Sequence, residues 1–255
     1  MTLVELNNYF NNFLCKENFP ADPSLNGIQI QNKEPCLKEI KKVAFAVDAC
    51  ESTAKIASER GADVLVVHHG LFWGDCQTIT GSFYRRISSF INNDLALIAY
   101  HIPLDANNPY GNNYGIASKL CMSKLEGFGS WRGMDIGVKG VLKNPLTIDE
   151  LADLLSNKLY TKCIKLPFGK EKISTVGIIS GGASSDVVQA VENGLDAYIT
   201  GEFEHEQYHY AEEMEINVIA GGHYGTETVG VNLLKEKVEK ELGLETCFID
   251  LPTGL

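Results

Sequence analysis

Leu3, Leu6, Phe10, Phe13 and Leu14 recur at helical spacing, which predicts an amphipathic first helix. Beyond it, short apolar runs alternate with helical stretches. KKVAFAVD reads as a strand, ACESTAKIASERG as a helix, ADVLVVHHG as a strand, and SSFINNDLALIAYH as a helix running into a strand. Such alternation predicts an α/β fold with mixed, mostly parallel sheets and helices outside. VLVV and LALIA are continuously apolar, as strands covered on both faces are.

The pattern occurs twice. Residues 43–69 align without gaps on residues 176–202 at an offset of 133, with Val43 on Val176, Ala57 on Ala190, Gly61 on Gly194, Asp63 on Asp196 and Val66 on Ile199. Each copy reads strand, helix, a glycine able to end that helix, an Asp and a second strand. The next strand repeats at an offset of 122: LIAYH ends in His101 with Asp105 four residues on, and IAGGH ends in His223 with Glu227 four residues on. Two related α/β halves from an internal duplication are therefore expected, residues 1–127 and 128–255, open to packing as intertwined units. Their boundary is placed in Glu126–Gly133, where EGFGSWRG carries three glycines in eight residues.

Composition narrows the function. The chain has 255 residues, 44% hydrophobic and 22% charged, which are ordinary globular values. Its net charge of −11, with no run of basic residues longer than two, argues against a general nucleic-acid binder. The first residues lack a basic n-region and an apolar h-region, so no signal peptide is expected, and no stretch approaches a membrane span. Seven scattered cysteines without a CxxC read as reduced thiols in a cytoplasm.

The six histidines are His68, His69, His101, His205, His209 and His223, all at or shortly after the ends of the repeated strands. In open α/β sheets that edge is where ligands bind. His68 and His69 end VLVV; neighbours in a strand face opposite ways, but a turn through Gly70 lets both converge or serve a pair of ions. In HIPLD, Pro103 turns Ile102 away from helical geometry, so a loop is expected, with His101 as ligand or proton carrier and Asp105 as an oxygen ligand. In GGHYGTE, Thr226 is expected to cap the next helix and to place Glu227, a carboxylate able to bridge two cations, in its first turn.

Each motif alone has a bland reading: satisfied histidines, a capping Asp, a glycine-rich turn. Together His68, His69, Asp105, His223 and Glu227 form an imidazole/carboxylate set without thiolate, which suits Zn, Fe, Mn, Co or Ni. Five side chains are too many for one tetrahedral zinc, and a two-metal site with open positions fits them. Gly201 and Glu202 take the repeat position of His68 and His69, so Glu202 is expected to face the same cleft. Glu202, His101, His205 or His209 could carry protons, His101 and Glu202 foremost. SGGASSD reads as a tight turn with a Ser cap, and the polar tip of DPSLNGIQI receives no chemistry.

At these residues the chain resembles a known family. SLNGIQI, VVHHGLFW, YHIPLDA with NNYGIA downstream, YITGE and AGGHYGTE, spread over nearly the whole chain, look like the GTP cyclohydrolase I type 2 family, also called the Nif-three-like proteins, in its short form. The resemblance implies two intertwined α/β repeats and two divalent metal ions on His68, His69, Asp105, His223 and Glu227, with Glu227 bridging. It also implies homohexamers and opening of the GTP imidazole ring by metal-activated water. Two alternatives are kept: a non-catalytic metal-binding or protein-interaction factor, and a hydrolase of another nucleotide or phosphoester.

Overall fold

A computed structural model describes all 255 residues. In chain order the elements are α1 (Leu3–Leu14), β1 (Gly27–Ile30), β2 (Lys42–Asp48), α2 (Glu51–Glu59), β3 (Val64–His69), α3 (Gly81–Ile91), β4 (Ala96–Ala99) and α4 (Ile102–Asp105). Then follow α5 (Asn112–Lys119), β5 (Ser123–Trp131), β6 (Met134–Leu146), α6 (Ile148–Leu159), β7 (Ile164–Pro167), β8 (Ile173–Ile179), α7 (Val187–Glu192), β9 (Ala197–Thr200), α8 (Tyr208–Glu213), β10 (Asn217–Ala220), α9 (His223–Leu242) and β11 (Glu245–Phe248). The chain divides into two units, Met1–Leu104 with Val231–Leu251 and Asp105–Gly230 with Pro252–Leu255.

The first unit carries a five-stranded sheet ordered β1-β4-β3-β2-β11. β2, β3, β4 and β11 run parallel, and β1 is antiparallel to β4. On one face Ala44, Ala46, Leu65, Val67 and Leu97 pack with Ala54 and Ala57 of α2 and with Ile87 and Phe90 of α3. Val43, Phe45, Val64, Val66, Ala96 and Ile98 are equally buried. Burial on both faces is why these strands are apolar throughout. Each fully buried Val, Leu or Phe contributes about 1.5–3 kcal/mol relative to exposure. α1 buries Leu3, Leu6, Phe10 and Leu14 of its predicted apolar face, leaves Phe13 half-buried, and starts in a capping box of Thr2 and Glu5.

The second unit holds a six-stranded sheet ordered β5-β6-β8-β9-β10-β7, in which β8, β9 and β10 are parallel. The α/β class with mixed sheets and outer helices is as the sequence predicts. Val43 pairs with Val64 in the first sheet and Val176 with Ala197 in the second, so the registers agree at the offset of 133. Asp63 accepts the amides of Lys41 and Lys42, and Asp196 those of Ser174 and Thr175, each Asp tying its strand to the start of the one before.

Three local expectations change. The third strands match at an offset of 121, because Val67 faces Ala99 and its equivalent Thr200 faces Ala220. His223 therefore stands one residue beyond the place of His101, after a turn at Gly222 with φ +81°. HIPLD is not a loop, since Ile102–Asp105 is a helical turn. Proline is tolerated in a first turn, where its missing N–H would have had no helical partner. Glu126–Gly133, the expected boundary between halves, spans the end of β5 and its turn into β6, inside the second unit. Its glycines serve that hairpin: a Cβ on Gly129, at φ +73°, would lie 2.3 Å from Ile179 Cδ1.

Candidate metal centre

In the first unit β3 ends in His68 and His69. The turn through Gly70 brings their ring centroids to 4.5 Å, and His101, just past β4, lies 5.1 Å from His68 and 5.8 Å from His69. A Cβ on Gly70 would meet Gln29 at 2.4 Å; Gln29 Oε1 accepts the amide of Leu71 at 2.7 Å and so holds the turn. One nitrogen from each ring lies within 4.8 Å of the others, a spacing that could hold a metal ion.

The other nitrogens are engaged in one consistent way. His68 Nδ1 meets the Tyr100 carbonyl at 3.1 Å, His69 Nδ1 meets Asp48 Oδ1 at 2.9 Å, and His101 Nδ1 meets Asp22 Oδ1 at 3.0 Å. A carbonyl and ionised carboxylates only accept, so each Nδ1 carries the proton and each Nε2 is left as the coordinating or basic nitrogen. The Asp22 side chain is wholly buried. Burial pushes its pKa up, but hydrogen bonds from His101, Asn26 and Ser24 outweigh this and the net direction is down. Trp73 stands edge-on to His101, with ring centroids 4.9 Å apart.

In the second unit Asp105 is buried, and its Oδ1 accepts from Asn112 Nδ2 and Ser180 Oγ, both at 2.9 Å. Asn113 accepts the Ser180 amide at 2.7 Å and donates to the Ile136 carbonyl at 2.8 Å. His223 opens α9 and Glu227 follows one turn later on the same face, Nε2 to Oε1 3.2 Å. His223 Nδ1 meets Glu202 Oε1 at 3.0 Å. The Glu227 carboxylate, then Glu202, stabilise the imidazolium against the opposing effect of burial and raise its pKa to about 9. Thr226 does not cap α9: it lies inside the helix, accepts the Gly181 amide and donates back to the Gly222 carbonyl. Gly181 leaves room for the pair, since a Cβ there would lie 2.3 Å from Glu227 Oε1 and 3.2 Å from His223 Nε2.

His205 and His209 are exposed, and His209 pairs with Glu212 at 3.3 Å. The donors are imidazoles and carboxylates without thiolate, the chemistry that suits Zn, Fe, Mn, Co or Ni. A sequence profile of the Duf34/NIF3 family (NGG1p interacting factor 3) matches residues 1–253. The chain belongs to this family.

Duf34/NIF3 relatives match over most of their length. A Deinococcus radiodurans protein named GTP cyclohydrolase 1 type 2 homolog is 43% identical, over 92% of this chain and 88% of its own. A Treponema pallidum protein of the same name is 39% identical with both chains fully covered. The crystal structure of TTHA1606 from Thermus thermophilus superposes with a TM-score of 0.90 at 36% identity, again covering both chains fully. For this Duf34/NIF3 chain, reading the sequence missed the supports: Asp22, Asn26, Asp48, Asn112, Asn113 and Ser180. The available signal for three of them was a polar residue beside an apolar strand, Asn26 before β1, Asp48 at the end of β2 and Ser180 after β8, while Asn112 and Asn113 open α5.

Proposed function

We propose that this chain is a divalent-metal-dependent hydrolase holding two ions on His68, His69, Asp105, His223 and Glu227. The observation that carries the reading is the matched set of imidazoles at the end of β3 and β4, each with Nδ1 donated to an oxygen and a nitrogen within 4.8 Å of its neighbours. When bound, such ions supply Lewis acidity and make water nucleophilic near neutral pH. The protein's part is to orient and to move protons. Asn112 and Ser180 hold the Asp105 carboxylate in one rotamer, and Glu202 steadies His223 through Nδ1. His101 keeps its proton at Nδ1 and accepts or returns one at Nε2, which makes it the proton carrier.

The substrate proposed is GTP, attacked by water at the imidazole ring with release of formate, in line with the names of the relatives. A homohexameric assembly is proposed with it, to be read by light scattering of the purified protein. The deciding experiment measures bound metal by mass spectrometry and formate release from GTP, beside His69→Ala and Glu227→Ala. About two ions per chain, with metal and formate both lost in the variants, is the expected result. Two ions without formate retire GTP in favour of another nucleotide, a phosphoester or a metal-handling role. No bound metal after reconstitution overturns the reading.

A further inference from the structure

The loop before β1 holds His101 both at its ring and at its main chain. Asp22 Oδ1 accepts the Ser24 amide and His101 Nδ1, each at 3.0 Å. Its Oδ2 accepts Asn26 Nδ2 at 2.8 Å and the Ile102 amide at 3.1 Å. Asn26 Oδ1 in turn accepts the His101 amide at 2.8 Å, and Lys16 ties the loop down through the Asn26 carbonyl at 3.0 Å. The residues of DPSLN thus hold the ring of His101 and the main-chain amides of His101 and Ile102.

All four partners of Asp22 are donors. A protonated Asp22 would set its own hydroxyl against one of them, so the buried group is matched only as a carboxylate. His69 shows the contrast: the side chain of its carboxylate partner Asp48 is 40% exposed, whereas the Asp22 side chain is 0% exposed. A buried carboxylate facing an imidazole fixes which nitrogen bears the proton.

We propose that Asp22 is a positioning residue that locks His101 as the Nδ1–H tautomer and aims Nε2 at the reacting centre, with Asn26 fixing the main chain beneath it. This rests on the reading of His101 as proton carrier. In the step it serves, His101 Nε2 takes a proton from the attacking water and returns it to the leaving nitrogen. The Nδ1 proton stays on the ring and Asp22 stays ionised throughout, so its role is orientation and charge stabilisation.

The test uses the whole protein labelled with 15N-histidine, with two-bond proton–nitrogen correlations reporting each imidazole tautomer. The His101 signals are those that vanish in His101→Ala. The wild type is expected to show Nδ1–H at His101; an Nε2–H form there overturns the proposal, whether or not any variant folds. Asp22→Asn, which can turn its amide N–H towards Nδ1, is expected to move His101 to Nε2–H with unchanged far-ultraviolet dichroism; an unmoved tautomer in a folded variant overturns it too. If the wild type releases formate from GTP, Asp22→Asn is expected to lose about 10- to 100-fold in kcat at unchanged KM and metal content. If it releases none, the hydrolase reading fails, and the tautomer measurement still decides the role of Asp22.

Discussion

The two repeats share their lower ends and diverge at their upper ones. At the strand starts, Asp63 and Asp196 bind the equivalent pair of amides, and Gly61 and Gly194 end the helices before them in the same left-handed turn, at φ +71° and +63°. At the strand ends the equivalent positions differ in kind. Asp48 and Gly181 correspond, as do His68 and Gly201, and His69 and Glu202. In the first repeat Asp48 supplies a carboxylate to His69; in the second the missing side chain of Gly181 makes space for the His223–Glu227 pair. The frame is kept by the need to pair strands, while the ends, free of that need, carry different side chains in the two repeats.

If that division is right, the upper glycines should be the least replaceable. Gly181→Ala sets a Cβ into the Glu227 carboxylate at a left-handed residue, and should cost about 3 kcal/mol or more and abolish metal binding. Chemical denaturation with metal analysis checks both. Gly201→Ala follows, at about 2–3 kcal/mol, since a Cβ would lie 2.7 Å from the Gly181 carbonyl oxygen although the first repeat carries a histidine there. A melt equal to wild type would mean that the two strand ends differ less than they look.

At the lower end the effects should be smaller and parallel. Asp196→Asn should cost about 2 kcal/mol at pH 7, more than Asp63→Asn, because Asp196 is the more buried of the two. Burial raises the Asp196 pKa, but Lys170 and the Ser174 and Thr175 amides overcome that and hold it below 3.8. The folded value is depressed, so this stabilisation is fully present above the unfolded pKa and is lost as pH falls through the folded one. The stabilities of wild type and Asp196→Asn should therefore begin to converge as pH falls below about 4 and go on converging through the lower folded pKa, and a gap constant with pH would contradict the assignment. Smallest of all, Gly61→Ala and Gly194→Ala should each cost about 1–2 kcal/mol, equal within error, because nothing lies within 4 Å of either Cβ and only the backbone conformation is at stake.

What could be read from the chain followed the same line. The duplicated strand–helix–strand was legible because burial on both faces forces apolar runs and because glycine and Asp mark the same turns in both copies. The histidines and carboxylates stood out by where they fall relative to those runs. The single-residue slip before His223 was not legible, because two glycines absorb it without disturbing any apolar position. Nor was the short helix at Ile102–Asp105, where the usual bias of a residue before proline gave way to a helical turn. Asp22 and Ser180 escaped because a carboxylate or hydroxyl in a loop looks solvated until the chain folds over it.

The edge strand β11 sets an order of events during synthesis. It pairs along β2 from Glu245↔Lys42 to Phe248↔Phe45, although about 200 residues separate them on the chain. At roughly 5–20 residues per second, β2 waits on the order of 10–40 s after leaving the ribosome before its outer partner exists. Through that interval VAFAV presents an unpaired apolar edge, the kind of surface that strays into contacts between nascent chains. The first sheet to be translated is thus the last to be closed, and β2 is the segment a folding chaperone would have to shield.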